Sequence, residues 1–217
     1  MEERTVDRYQ KLTIWFHWVH AAAFVILVLT GAVVFLPGIT VGSEGPGIVH
    51  RVVAVIFIGA PIVYCFFKTN RALQFIKESI TWNRDDFEWL KAAPSYYFGG
   101  PEENMPPQGY INTGQKMWQL VILGTSLIFL ITGAIMWFFK HYIPLEAYQW
   151  TLFAHGIAFI LVFVMFLAHI YMGILHPRMS ESLRSMKDGK ISPTYARSHY
   201  CKWYDSIQKK EGRKTAT

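Results

Sequence analysis

Apolar residues gather into four long runs free of acidic side chains, and the charged residues sit in blocks between them. The runs lie between Lys11 and Pro37, from about Ile48 to Phe67, between Lys116 and Lys140, and between Glu146 and His176. At ~1.5 Å rise per residue, each run is long enough to cross ~30 Å of hydrocarbon as one helix. The second is the shortest and contains Pro61, which predicts a kink. The pattern predicts an all-α protein, an integral membrane four-helix bundle over residues 12–175 with spans at about 12–36, 48–67, 117–139 and 147–175. A short N-terminal segment (1–11), a long middle loop (68–116) and a tail (176–217) complete the chain.

The middle loop is patterned. Leu73, Ile76, Ile80, Phe87 and Leu90 recur near helical spacing, accompanied by Trp82 and Trp89, which predicts one or two helices lying on the membrane surface. The stretch from Pro94 to Gly109, rich in Pro, Gly and Tyr, reads as an irregular loop. A short echo links two spans: Leu29-Thr30-Gly31-Ala32 in the first and Ile131-Thr132-Gly133-Ala134 in the third. Small residues at such places serve helix–helix contact. They also let a flat macrocycle approach the backbone.

Composition agrees with a membrane protein: of 217 residues, 52% are hydrophobic and 16% aromatic. The net charge of +6 would suit nucleic acid, but the basic residues flank the apolar runs, so topology accounts for them and nucleic-acid binding is not expected. Arg4, Arg8 and Lys11 precede the first span; Lys68, Arg71, Lys77, Arg84, Lys91 and Lys116 fill the middle loop; only Arg51 and Lys140 border the other side. The positive-inside bias then puts both termini and the middle loop on the cytoplasmic side. Arg71, Lys77 and Lys116 read as topology signals. Glu2, Glu3 and the length of the first run argue against a cleaved signal peptide. The two cysteines, Cys65 and Cys201, form no C-x-x-C pair, which argues against c-type haem attachment, a zinc site or a cysteine-held iron–sulfur cluster.

Histidine is the candidate chemistry. An ionisable side chain inside a membrane is costly and marks function, and neutral imidazole is a good ligand for haem iron. His155 and His169 are 14 residues apart in the fourth span, close to four turns, so they share one face about 21 Å apart along the axis. His17 lies one turn into the first span and His50 at the start of the second. Depths then match as His17 with His169 near the inner side and His50 with His155 near the outer side. His20, three residues from His17, remains an alternative inner ligand. His141, His176 and His199 fall outside the apolar runs and read as interfacial or solvated. Two bis-histidine sites would hold two b haems with both axial positions filled, leaving one-electron transfer as the available chemistry. Arg51 is a candidate partner for the propionates of the outer haem.

His17-Trp18, the His50 segment, His155-Gly156 and Ala168-His169-Ile170-Tyr171-Met172 resemble the cytochrome b (gamma) subunit of respiratory formate dehydrogenases. That family is related to the cytochrome b subunits of nickel-iron hydrogenases. Tyr110-Ile111-Asn112-Thr113-Gly114-Gln115-Lys116 and the tail from Lys187-Asp188-Gly189-Lys190 to Trp203-Tyr204 resemble the formate dehydrogenase branch more specifically. The resemblance implies an electron-transfer subunit of an oxidoreductase complex in anaerobic respiration. Its partners would be an iron–sulfur (beta) subunit and a molybdenum- or tungsten-containing catalytic (alpha) subunit. Electrons would pass through the outer and inner haems to a menaquinone-like quinone held by Asn112, Gly114, Gln115 and His169. Asn112 and Gln115 also have the spacing of a capping box at the start of the third span. The cytochrome b of a hydrogenase or another molybdoenzyme is the nearest alternative. A small histidine-containing transporter is the alternative from another class.

Overall fold

The computed structural model describes residues 5–35 and 44–215. Leu36 and Pro37 at the end of the first span, and Arg4 of the N-terminal segment, lie outside the described residues. Among the described residues, four helices are long and apolar enough to cross a membrane, over Lys11–Val34, Gly45–Phe67, Thr113–Phe139 and Leu145–Leu175. Large apolar side chains such as Leu29, Val52, Leu130 and Leu161 are exposed along them, a surface that water would not tolerate and a bilayer requires.

The described residues fall into two compact units: Gln10–Gln74 with Ser126–Phe163, and Met1–Tyr9 with Phe75–Thr125 and Val164–Thr217. In the first unit, α1 (Lys11–Phe35) and α2 (Gly45–Phe67) form an antiparallel pair. Thr13 meets Tyr64 at 3.0 Å, the His20 ring stacks on Phe57 at 4.0 Å, and Thr30 meets His50 at 3.0 Å. Helix α2 continues through Pro61. The third and fourth spans run as α5 (Thr113–Ala134) and α6 (Leu145–Ile170), each extended by a π-helical turn, Ile135–Phe139 and Tyr171–Leu175. Such turns widen the helix by one residue per turn and re-aim the side chains around them. One π turn follows Thr132-Gly133-Ala134 directly; the other begins two residues after His169.

The second unit carries the loop from Phe75 onward and the tail. Two helices, α3 (Thr69–Ile80) and α4 (Arg84–Tyr97), occupy the middle loop. Asn83 caps α4 by accepting the Asp85 N–H at 2.9 Å, while Asp86 accepts the Asn83 N–H at 2.9 Å. The stretch from Pro94, expected to be irregular, keeps its first four residues in α4. Trp89, Ala93 and Tyr96 are buried on this helix, which holds it together across the N–H that Pro94 lacks. The start of α5 lies at Thr113, four residues before the limit of the apolar run, because Asn112 and Gln115 cap it.

The tail folds into α7 (Ser180–Asp188), α8 (Pro193–His199) and α9 (Cys201–Thr215). Gly189, at φ +83°, closes α7 in the left-handed conformation that favours glycine. Its carbonyl then accepts the N–H groups of Arg8 and Tyr9 at 2.7 and 3.0 Å. Next to it, β1 (Val6–Asp7) pairs antiparallel with β2 (Lys190–Ile191), with Val6 opposite Ile191. Ile191, Tyr195, Ala196, Tyr200 and Tyr204 form a buried cluster beneath.

Candidate functional site

His50 is on α2, six residues into the helix, and His155 is on α6. Their rings lie 6.5 Å apart between centroids and are tilted by 56°. An imidazole nitrogen bonds a first-row metal at about 2 Å and sits roughly 1 Å from its ring centroid, so two imidazoles on opposite sides of one iron have centroids about 6 Å apart. The observed separation fits that arrangement. Phe129 packs against His155 at 4.8 Å. Nδ1 of His50 lies 3.0 Å from the Thr30 hydroxyl, and Nδ1 of His155 lies 2.8 Å from the Thr132 hydroxyl. In each ring the other nitrogen, Nε2, is thereby left to face away from the threonine.

Those two threonines belong to the repeated Thr-Gly-Ala motif. A Cβ on Gly31 would meet Cε1 of His50 at 3.4 Å, an ordinary contact, and a Cβ on Gly133 would meet no atom within 4 Å. The motif therefore bears on the histidines through its threonines. The signal in the sequence is that Thr30 and Thr132 recur at the same place in the two Thr-Gly-Ala stretches; which histidine each meets is set by helix packing. Arg51 follows His50, donates from Nε to the Gly47 carbonyl at 3.1 Å and places its guanidinium 5.7 Å from the Trp137 ring.

On α1, His17 meets Trp18 edge-on at 5.2 Å, and the Nδ1 atoms of His17 and His20 are both buried with no hydrogen-bond partner. His20 is held in a ring stack, 4.0 Å from Phe57 and 5.4 Å from Phe16. On α6, His169 stacks on Trp118 of α5 at 4.8 Å and 12°.

Asn112, Gly114 and Gln115 stand at the N-terminus of α5. The Asn112 side chain accepts the Gln115 N–H at 2.8 Å and the Gln115 side chain accepts the Asn112 N–H at 2.9 Å, a reciprocal capping box. A Cβ on Gly114 would sit 3.0 Å from Cη2 of Trp89, so glycine here permits the close approach of α4 to α5. The cavity beside Asn112, lined also by Trp89, Tyr96, Tyr97 and His199, has a volume of about 20 Å³, room for about one water.

The same helix start rests on a buried ion pair. Lys116 donates to Asp86 at 2.9 Å and to the Thr81 carbonyl at 3.0 Å, and Thr113 donates to Asp86 at 2.7 Å. Burial alone would raise the Asp86 carboxyl; the hydrogen bonds from Lys116, Thr113 and Asn83 hold it below its ordinary value. Lys116 is thus a structural cation as well as a topology signal. A larger cavity of about 220 Å³ borders it, lined by Glu78, Asp85, Asp86, Tyr110 and Lys202.

His176 and His199, expected to be interfacial or solvated, are packed against aromatic side chains of the loop and tail. His176 is buried against Tyr97, with Nε2 3.3 Å from the Tyr97 carbonyl. His199 stacks on Tyr195 at 4.0 Å and meets the Tyr96 hydroxyl at 2.9 Å; burial lowers its imidazole against the opposing pull of Glu102. Burial raises the Tyr96 phenol to about 12. Arg8, read as a topology signal, is buried with its guanidinium 3.5 Å above the Tyr200 ring, and it donates from Nη2 to the Tyr110 carbonyl at 2.7 Å.

The family model described as prokaryotic cytochrome b561 matches residues 8–189. The nitrate-inducible formate dehydrogenase cytochrome b556(Fdn) subunit of Escherichia coli K12 is 28% identical over 205 residues, covering 91% of this chain and 89% of its own length. The formate dehydrogenase cytochrome b556 subunit of Haemophilus influenzae is 28% identical over 192 residues, covering 87% and 77%.

Proposed function

Because the chain belongs to the prokaryotic cytochrome b561 family, we propose that it is the membrane-anchoring, di-haem cytochrome b subunit of a formate dehydrogenase-type complex. The names of its relatives favour formate dehydrogenase over hydrogenase as the complex. The observation that carries the haem assignment is the His50–His155 pair, at the separation two imidazoles need to share one iron. His50 and His155 would hold the outer b haem, and Arg51 would pair with its propionates. His17 and His169 would hold the inner one.

Bound haem supplies one-electron transfer. With two histidines to hold it, each haem would have no place for oxygen or substrate and would only carry electrons. The apolar spans exclude water around them, and Trp118 sets the plane of the His169 ring. His17 is taken as the ligand on α1, and His20, whose Nδ1 is buried and unpartnered like that of His17, is the alternative.

The chain takes electrons from an iron–sulfur subunit, itself served by a molybdenum or tungsten catalytic subunit, and delivers them to a menaquinone-like quinone. Asn112, Gly114, Gln115 and His169 form the quinone site. The capping box uses the amide oxygens of Asn112 and Gln115, and Nε2 of Gln115 donates to the Tyr200 hydroxyl at 3.4 Å, so the Asn112 amide N–H groups and the remaining one of Gln115 are those that would meet a quinone oxygen. Both termini and the loop from α3 to α5 face the cytoplasm, which supplies the protons for quinone reduction.

A pyridine haemochrome assay on the purified chain tests the assignment. Two b haems per chain are expected, falling to one in His50→Ala or His155→Ala and to one in His17→Ala or His169→Ala. Full haem content in all four variants would place the ligands elsewhere.

A further inference from the structure

Thr30 and Thr132 occupy the same place in the repeated Thr-Gly-Ala motif, one on α1 and one on α5, and each meets a different histidine of the same pair. The direction of these bonds can be deduced. Thr30 Oγ1 lies 2.7 Å from the Ile26 carbonyl and Thr132 Oγ1 lies 2.6 Å from the Ile128 carbonyl, each four residues back on its own helix. A hydroxyl has one hydrogen, and the carbonyl accepts it. The threonine oxygen can then only accept from the imidazole, so Nδ1 of His50 and of His155 carries the proton. In a neutral ring that leaves Nε2 unprotonated, the state an iron ligand must have. Bonding back to its own helix does not by itself distinguish these threonines, since Thr125 of α5 does the same to Val121 at 2.7 Å. Facing a histidine Nδ1 does.

We propose that Thr30 and Thr132 are a matched pair of positioning residues: each accepts the Nδ1–H of a haem-ligand histidine, fixing its tautomer and ring direction and making its Nε2 a stronger donor to iron. The proposal rests on the assignment of His50 and His155 as ligands. Such an outer partner raises the basicity of the ligand and favours the ferric state, and its loss typically weakens metal binding by roughly 10- to 100-fold. The Thr132–His155 bond, at 2.8 Å, is shorter than the Thr30–His50 bond, at 3.0 Å, so Thr132 is the more sensitive of the two.

The test uses the full chain with its haems, comparing wild type, Thr30→Val, Thr132→Val, Thr132→Ser and His155→Ala. Haem content, the midpoint potential of each haem and the low-spin ferric EPR signals are measured. His155→Ala first identifies which haem this pair holds; if it removes none, the ligand assignment itself fails, independently of the threonines. Thr132→Val is expected to raise the potential of that haem alone, or to release it about 10-fold more readily. Thr30→Val should do the same more weakly, and Thr132→Ser should restore wild-type behaviour. Valine variants that retain both haems at unchanged potential and EPR signal would overturn the proposal. So would a serine variant that behaves like valine, because packing and not the hydroxyl would then be the cause.

Discussion

Replacing Lys116 by Met tests how firmly the start of the third span is held. Lys116 and Asp86 are both nearly inaccessible, at 8% and 2% exposure. Met preserves most of the aliphatic volume but removes the ammonium that sits 2.9 Å from the Asp86 carboxylate. The carboxylate keeps its bonds from Thr113 and Asn83, so it stays buried and charged without its counter-ion. Breaking a buried pair on one side in this way costs about 3–5 kcal/mol, and the two remaining bonds place the expected loss near the lower end, about 3 kcal/mol. Equilibrium unfolding in mixed micelles measures it. Asp86→Asn on top of Lys116→Met should recover about half or more of the loss, since a neutral amide can still accept from Thr113 and needs no counter-charge. The pH dependence has a definite sign. The folded carboxyl is held below its ordinary value, so its contribution is complete above an unfolded pKa of about 4. It is lost as pH falls through the lower folded value. Wild type should therefore lose stability in this acid range, and Lys116→Met should show a shallower loss. A Lys116→Met protein as stable as wild type at neutral pH would refute the reasoning, because the pair would then be neither desolvated nor needed.

Three further outcomes are expected. Asn112→Ala removes half of the capping box, so it should cost about 1 kcal/mol and slow quinone reduction at unchanged haem content; unchanged quinone kinetics would confine Asn112 to its capping role. His20→Ala should keep both haems, and loss of one would move a ligand role from His17 to His20. Arg8→Lys keeps the charge but gives up the planar stack on Tyr200 and the bond to Tyr110, at a cost of roughly 1–2 kcal/mol. Limited proteolysis should then cut the N-terminal segment or the tail faster, and an unchanged cleavage rate would count against Arg8 as the fastener of β1.

Helix type and number were legible along the chain because a bilayer leaves little choice. A run of some 20 apolar residues must bond its own backbone, and the helix is the single-segment solution. The candidate ligands were legible for a related reason: His17, His50, His155 and His169 stand out where imidazoles are costly, and a 14-residue separation translates directly into helix geometry. The capping box at Asn112 and Gln115 was also readable, since capping depends on neighbours three residues apart. Other features depend on residues remote in sequence. Arg8 looked like a topology signal until Tyr110, 102 residues later, and the tail's Tyr200 were seen to enclose it. Lys116 looked the same until Asp86, 30 residues earlier, became its partner. The stretch from Pro94 reads as an irregular loop because its Pro, Gly and Tyr content is visible in sequence, whereas the burial of Trp89, Ala93 and Tyr96 that keeps its first residues helical is not. The pairing of Thr30 with His50 and Thr132 with His155 belongs to the same class. Sequence set the residue types and their periodicity; the choice of partner across 20 or 23 positions is a matter of helix packing, which only the tertiary structure decides.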